Sequence, residues 1–222
     1  MPAGIIALVC IMLLLMLWPI ILMDVMLLAL YRLGIDPLLG VLAILSIIIG
    51  SFINIPIKRY KISRKLELPP IILYGWYRWY PPQQLKQNEM VLAVNVGGCV
   101  VPLLLALYQL IRLINNNELI APLVAIAINV IFCYRISELK AGVGILMPAF
   151  YPGIVAAISG LLLYPEHPAA VAFCAGIFGP LIGADLLRLK QIVRLGEGSA
   201  VIGGAGTFDG IVVSGFIALL LS

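Results

Sequence analysis

Residues 169–187 read AAVAFCAGIFGPLIGADLL, an apolar run whose one charged residue, Asp185, stands near its C-terminal end. A helix needs roughly 20 residues to cross the hydrocarbon of a bilayer, and this run has about that length. Similar runs fill most of the 222 residues, of which 63% are hydrophobic and only 11% charged. With a mean hydropathy of +1.15, this composition excludes a soluble globular domain and predicts an all-α polytopic membrane protein.

Seven apolar segments are predicted to form transmembrane helices, at about 3–32, 37–57, 89–114, 120–135, 143–164, 169–187 and 206–222. The first contains Trp18-Pro19 followed by Asp24, which favours a kink or an interfacial second half. It lacks a small-residue cleavage site, so we interpret it as a retained helix and not a signal peptide. We expect one multi-pass domain over residues 1–222, in the plasma membrane.

Lysine and arginine predict the orientation of these spans. With seven spans, twelve of the fourteen basic residues fall in loops on one side of the membrane, and only Arg32 and Arg112 fall on the other. The N-terminus is therefore expected in the cytoplasm and the C-terminus outside. Because the positive charges follow the topology, they do not indicate nucleic-acid binding.

The largest predicted loop, at about 58–88, begins with basic residues and continues with an aromatic, proline-rich stretch from Pro69 to Pro82. Tryptophan and tyrosine favour the headgroup region, so this segment is expected to lie against the cytoplasmic interface of the lipid bilayer. It serves either as an anchor held by anionic lipid or as a gate or docking strand for a substrate.

Five polar residues from five spans are predicted at similar depth in the cytoplasmic third of the membrane, within roughly 10 Å: Asn54, Asn95, Asn129, Asp185 and Asp209. Polar groups in apolar surroundings are costly unless they find partners, which favours one shared polar pocket. For the asparagines, hydrogen bonds between helices are the alternative. For Asp185, the alternative is an ion pair with Arg188 or a place at the water interface.

Asp209 stands in the glycine-rich stretch Gly203–Gly210, just before the last apolar run. Glycine permits close approach of the backbone, so a loop or broken helix entering the membrane is expected there, with Gly206 and Thr207 beside the acid. Thr207 is a candidate cap for the following helix. Pro148 is expected to kink the fifth span next to the polar pocket.

The four cysteines lie in apolar runs without metal-ligand spacing, and the single histidine falls in an outer turn. We therefore predict neither a metal site nor a cofactor.

The motifs GGAGTFDG at 203–210, IGADLLRLK at 182–190, NIPI at 54–57 and AVNVGG at 93–98 resemble an uncharacterised family of prokaryotic integral membrane proteins. This resemblance covers most of the chain and implies a common fold and site without an activity.

The layout is also similar to intramembrane aspartyl proteases of the presenilin and signal-peptide-peptidase type. Those enzymes carry one catalytic aspartate in the sixth span and one in the seventh, within a Gly-x-Gly-Asp motif. Asp185 and Asp209 stand at the corresponding places. Phe208 and Ala184 depart from the pattern, because the residues before the two aspartates in those enzymes are a glycine and a tyrosine.

Three functions remain open from the sequence. The first is hydrolysis of a transmembrane peptide, with one carboxylate activating water and the other donating a proton. The second is transport of a small ion or proton-coupled solute, with carboxylate and amide oxygens as ligands. The third is a non-catalytic scaffold whose aspartates fix helix packing.

Overall fold

The structure is a computed structural model that describes residues 2–66, 71–73, 77–79, 84–140, 144–195 and 199–222. It is mostly helical. The eight α-helices of these residues are α1 (Pro2–Arg32), α2 (Pro37–Gly50), α3 (Val101–Asn115), α4 (Ile120–Ile136), α5 (Phe150–Leu163), α6 (Pro168–Phe178), α7 (Leu189–Leu195) and α8 (Gly210–Leu221). Two π-helical segments, Val96–Val100 and Gly179–Leu186, precede α3 and extend α6.

The predicted helix boundaries agree with the structure at one end of the molecule, which we call the turn end (residues 33–36, 116–119 and 164–167). Proline in the first turn of α2 and α6 fits the helix start, where no backbone donor is needed. Asp36 caps α2, because its Oδ1 accepts a hydrogen bond of 2.9 Å from the Leu38 backbone N–H. These local signals place the turns correctly.

Connections that are far apart in the sequence gather at the turn end. A cavity of about 580 Å³ there is lined by residues of the α1–α2 turn, the α5–α6 turn, the end of α3 and Ser222. The Arg32 guanidinium donates to the Leu219, Leu220 and Ser222 carbonyl oxygens over 3.1–3.3 Å. The Arg112 guanidinium donates to the Leu33 carbonyl oxygen over 3.0 Å. The helices therefore run back and forth between this end and an opposite one.

The opposite end, which we call the sheet end, is built on strands. The strands of the described residues are β1 (Asn54–Leu66), β2 (Ile71–Leu73), β3 (Tyr77–Trp79), β4 (Gln84–Asn95), β5 (Glu138–Lys140), β6 (Gly144–Leu146) and β7 (Ser199–Ile202). β1 pairs antiparallel with β4, and β7 pairs parallel with β4 from Val91–Ser199 to Val94–Ile202, giving the order β1-β4-β7. β2 with β3 and β5 with β6 form two short hairpins.

The expectation of an all-α fold is therefore wrong at the sheet end. Residues 54–57 and 89–95, predicted as the ends of two helices, are strands. The α-helices of the fifth and seventh predicted spans start only at Phe150 and Gly210, the latter after a 3-10 turn at Gly206–Phe208. Residues 90–94 of β4 are apolar, with Met90, Leu92 and Ala93 buried in the central strand of the sheet. A strand segment that is covered on both faces shows no alternation of polar and apolar residues, so its sequence resembles that of a buried helix. Of the predicted interfacial segment, residues 67–70, 74–76 and 80–83 lie outside the described residues.

Three helices form the centre of the packing, since α5, α6 and α8 contact one another extensively and α4 packs on α6. Small residues occupy their contacts, with Ala156, Ala172, Ala175 and Ala218 almost fully buried. Within the described part of the chain, two continuous helical stretches, Val96–Asn115 and Pro168–Val193, are long and apolar enough to cross a membrane.

Candidate functional site

Asp185 and Asp209 line the same cavity at the sheet end. Its volume is about 430 Å³, and it lies between β7, the β5–β6 hairpin and the ends of the helices. A smaller adjoining cavity of about 80 Å³ is also lined by both aspartates. The two acids are only half-buried, so solvent reaches this region. The structure thus brings the two aspartates to the same cavity.

Asp185 belongs to the π-helical segment Gly179–Leu186. Such wide turns inside helices are rare and occur frequently at functional sites. The alternative of an Asp185–Arg188 ion pair is not the arrangement found, because the Arg188 guanidinium is engaged elsewhere. It donates to Ser137 Oγ and to the Tyr134 carbonyl oxygen over 2.7 Å each and lies over the Tyr134 ring.

Asp209 is the N-cap of α8. Its Oδ1 accepts a 3.0 Å hydrogen bond from the Ile211 backbone N–H, and its Oδ2 accepts one of 3.3 Å from the Ala205 backbone N–H. The prediction that Thr207 caps this helix is therefore wrong. The Thr207 hydroxyl instead lies 2.9 Å from Ser51 Oγ and ties the glycine-rich loop to the end of α2.

The glycine-rich loop needs its glycines for close packing. Gly203 and Gly206 have φ values of +72° and +61°, in the left-handed region that side chains disfavour. A Cβ on Gly206 would lie 2.6 Å from Ser51 Cβ, and one on Gly203 would lie 2.8 Å from the Cys99 backbone nitrogen. The loop that carries Asp209 is thus held against the π-helical turn 96–100 and the end of α2.

Asn95 and Asn54 form a hydrogen-bonded cluster beside this loop. Asn95 Nδ2 donates to the Ser51 carbonyl oxygen over 2.7 Å and to Asn54 Oδ1 over 2.9 Å. Asn95 Oδ1 accepts a 2.7 Å bond from the Gly98 backbone N–H and so caps the π-helical turn. Both residues lie at the β1–β4 pairing, so the prediction that they belong to the helices of the second and third spans is wrong.

Replacing Asn95 by alanine is expected to destabilise the protein by roughly 2–4 kcal/mol, because the substitution removes a cap and leaves buried groups of Ser51 and Gly98 without partners. Asn54 is exposed and supplies one acceptor, so Asn54→Ala is expected to cost less than about 1 kcal/mol. Thermal unfolding in detergent measures both. Equal losses for the two variants would contradict the capping role of Asn95.

Six residues predicted beside the aspartates line neither cavity that contains them: Asn54, Asn95, Asn129, Gly206, Thr207 and Pro148. Asn129 is fully buried between α4 and α6, where its Nδ2 donates to the Ala175 carbonyl oxygen over 2.8 Å. Pro148 is exposed in the connection before α5 and precedes that helix without kinking it. The predicted convergence of five polar side chains on one pocket is therefore wrong for the three asparagines, and the predicted role of Pro148 is wrong too.

Strand β7 and Lys140 on β5 also line the cavity, and neither is among the residues predicted for the site. The signal for β7 is present in the sequence. Ser199–Ile202 is a short run ending in two β-branched residues, preceded by Gly196-Glu197-Gly198 and followed by Gly203-Gly204. Glycine-bounded runs of this kind are typical of strands.

A family model described as "Protein of unknown function (DUF1614)" matches residues 48–221, which include both aspartates and the whole glycine-rich loop. No curated protein and no solved structure matches the chain. The match confirms the resemblance to an uncharacterised family. The chain therefore belongs to the DUF1614 family of proteins of unknown function.

Proposed function

We propose that the chain is a seven-span protein of the plasma membrane that hydrolyses peptide bonds with the Asp185/Asp209 pair. The spans would be α1, α2, α3 with its preceding π-helical turn, α4, α5, α6 with its π-helical extension, and α8. Large apolar side chains on these helices face outward, among them Leu38 at 68%, Ile120 at 80% and Leu162 at 75% exposure. Apolar surface of this extent supports contact with lipid.

The charges support a cytoplasmic sheet end. Arg32 and Arg112, the two basic residues predicted outside, lie at the turn end. Lys58, Arg59 and Lys140 are on strands of the sheet end, and Arg135 stands at the end of α4 that leads into β5. Under the positive-inside rule this distribution favours a cytoplasmic site for the two aspartates.

One observation carries the hydrolase proposal: both acids line a cavity that is also lined by a sheet edge. β7 is the last strand of the sheet and, among the described residues, pairs only with β4. Its residues Ser199–Ile202 border the cavity together with Asp185 and Asp209. An extended peptide can pair with the free backbone groups of such an edge. A peptide bound there would present its carbonyl groups close to the acids.

The two aspartates then take different roles. Backbone N–H groups donate to both oxygens of Asp209, so we assign it the ionised role, in which it takes a proton from the attacking water. Asp185 donates its proton to the peptide carbonyl oxygen as the water oxygen bonds to the carbon. When the tetrahedral species collapses, the C–N bond breaks, Asp209 passes the water proton to the leaving nitrogen, and a hydroxyl of the tetrahedral carbon returns a proton to Asp185. The products are a carboxylic acid and an amine.

Ion transport is supported less well, because the amide ligands that it requires are used elsewhere. Asn129 bonds the backbone of α6, and Asn95 bonds Ser51, Asn54 and Gly98. A scaffold with Asp185 paired to Arg188 is not favoured either, since Arg188 binds Ser137 and Tyr134.

Cleavage of a membrane-helix reporter by the purified chain in reconstituted vesicles tests the proposal. Asp209→Asn is expected to abolish cleavage without unfolding the protein, because asparagine caps helices as well as aspartate does. Asp36→Asn is the matched control, since Asp36 caps α2 by the same type of bond. If wild-type protein cleaves no reporter but carries a cation or proton flux that depends on Asp209, the hydrolase proposal is contradicted and transport is favoured.

A further inference from the structure

The exposed surface changes from apolar to basic within a few residues at the start of β1. Phe52 and Ile57 are large apolar residues with 86% and 63% of their surface exposed. Lys58, Arg59 and Lys61 follow and are also exposed. We call residues 52–61 the β1 boundary segment. A surface with this order fits the place where hydrocarbon gives way to lipid headgroups.

The β1 boundary segment lies on the outer edge of the sheet, because β1 pairs only with β4 among the described residues. Three features make this edge unsuitable for adding another strand. Pro56 has no backbone N–H, the register with β4 shifts between Pro56 and Lys58, and lysines follow directly. Proline, bulges and lysine are the means by which edge strands avoid pairing with other chains.

Positive charge is present on both faces of the strand. Successive side chains of a strand point to opposite faces, so Lys58 and Tyr60 share one face and Arg59 and Lys61 the other. The Lys58 Nζ lies 5.1 Å from the centre of the Tyr60 ring. Glu89, the strand partner of Lys61, is the one acid that faces these residues in the described pairing up to Lys61. The segment therefore has an excess of cationic groups next to an aromatic ring.

We propose that the β1 boundary segment binds the phosphate groups of anionic phospholipids, with Lys58 and Arg59 as the main contacts. Phe52 and Ile57 face the acyl chains, and the basic side chains reach the phosphates from the strand edge. The proposal rests on the membrane placement in the proposed function and is independent of the hydrolytic step. Its consequence is that the sheet, and with it β7 and the cavity, is held at a fixed depth by anionic lipid.

Lipid retention by the full chain tests this proposal. The protein is placed in bilayer discs of phosphatidylcholine with a minor fraction of phosphatidylglycerol, and native mass spectrometry counts the lipids of each kind that stay bound. Each basic residue near an anionic surface contributes about fivefold in affinity, so Lys58→Gln/Arg59→Gln is expected to lower the preference for phosphatidylglycerol by up to roughly 25-fold. The matched control is Arg135→Gln/Lys190→Gln, which removes two exposed charges from the sheet end.

Several outcomes would overturn the proposal: an unchanged preference in the Lys58/Arg59 variant, an equal loss in the control, or a wild-type dimer that these two substitutions dissociate. If the variant does not fold in these discs, the same lipid preference is measured on wild-type protein at increasing salt concentration. Screening should then weaken the preference, and a salt-independent preference would contradict the proposal. Asp209→Asn should keep the lipid preference. Failure of hydrolysis is thereby distinguished from failure of lipid binding.

Discussion

Asp185→Asn is expected to reduce peptide cleavage by roughly 10²- to 10⁴-fold, the range over which one positioned acid or base contributes to catalysis. Asparagine is close to aspartate in shape but holds no transferable proton, so the acid that protonates the peptide carbonyl is lost. The half-buried side chain makes no ion pair with Arg188, whose guanidinium is held by Ser137 and Tyr134. The substitution is therefore not expected to release a charged partner or to unfold the protein.

The double variant Asp185→Asn/Asp209→Asn gives the sharper result. If the two carboxylates act on one water and one carbonyl, the second substitution should cost little once the first is made, because residues that act as a unit are not additive. The measurement is the initial rate of reporter cleavage for the wild type, the two single variants and the double variant. Thermal unfolding of each variant checks that it is folded. Full turnover in Asp185→Asn, or two independent losses that multiply, would contradict a paired mechanism.

The turn end of this fold could be predicted from the sequence, because its signals are local. The ends of α1 and α5 and the starts of α2, α4 and α6 fall within about a residue or two of the predicted boundaries. Proline and aspartate at helix starts and polar residues in the turns decide these positions within a few neighbouring residues. The length of each apolar run then predicts the helix that lies next to these turns.

The sheet end could not be predicted in the same way, because its pairings join distant residues. β7 pairs with β4 across more than a hundred residues, and its four residues carry no periodicity long enough to distinguish strand from helix. The apolar residues of β1 and β4 continue the hydrophobic runs of α2 and α3, so hydropathy extends those helices too far. The same error predicts helical conformation for Asn54 and Asn95, although the two residues are partners at the end of the β1–β4 pairing.

The two aspartates of the site could be predicted from the sequence, but the residues that form the cavity wall around them could not. A charged residue in an apolar run is costly wherever it lies, so Asp185 and Asp209 stand out without any structure. β7 and Lys140 enter the site only through the tertiary fold. Asn129 shows the opposite error. Its amide donates a hydrogen bond to the backbone of a neighbouring helix, and polar residues in apolar helices often make such bonds.

Gly206→Ala is expected to destabilise the protein by roughly 2–5 kcal/mol, the sum of a left-handed backbone and an overpacked contact. Gly206 has a φ of +61°, and an added Cβ would lie 2.6 Å from Ser51 Cβ and 2.7 Å from Ser51 Oγ. The loop cannot move aside easily, because Ser51 is held by Thr207 on one side and by the Ile47 carbonyl oxygen on the other. For a chain of this length the apparent midpoint of thermal unfolding should fall by roughly 5–15 °C.

Two alanine variants separate the two causes. Gly34 has a similar φ of +68°, and a Cβ there would meet only the Arg112 side chain at ordinary contact distance, so Gly34→Ala should show the backbone cost alone. Gly210 has no positive φ, and its Cβ would face the flexible end of Met147, so Gly210→Ala should cost least. Midpoints in detergent that fall equally in all three would contradict close packing at Gly206. Since the Gly206 carbonyl oxygen accepts a hydrogen bond from the Asp209 backbone N–H, displacement of this loop should also displace the acid, and cleavage should fall further in Gly206→Ala than in Gly34→Ala.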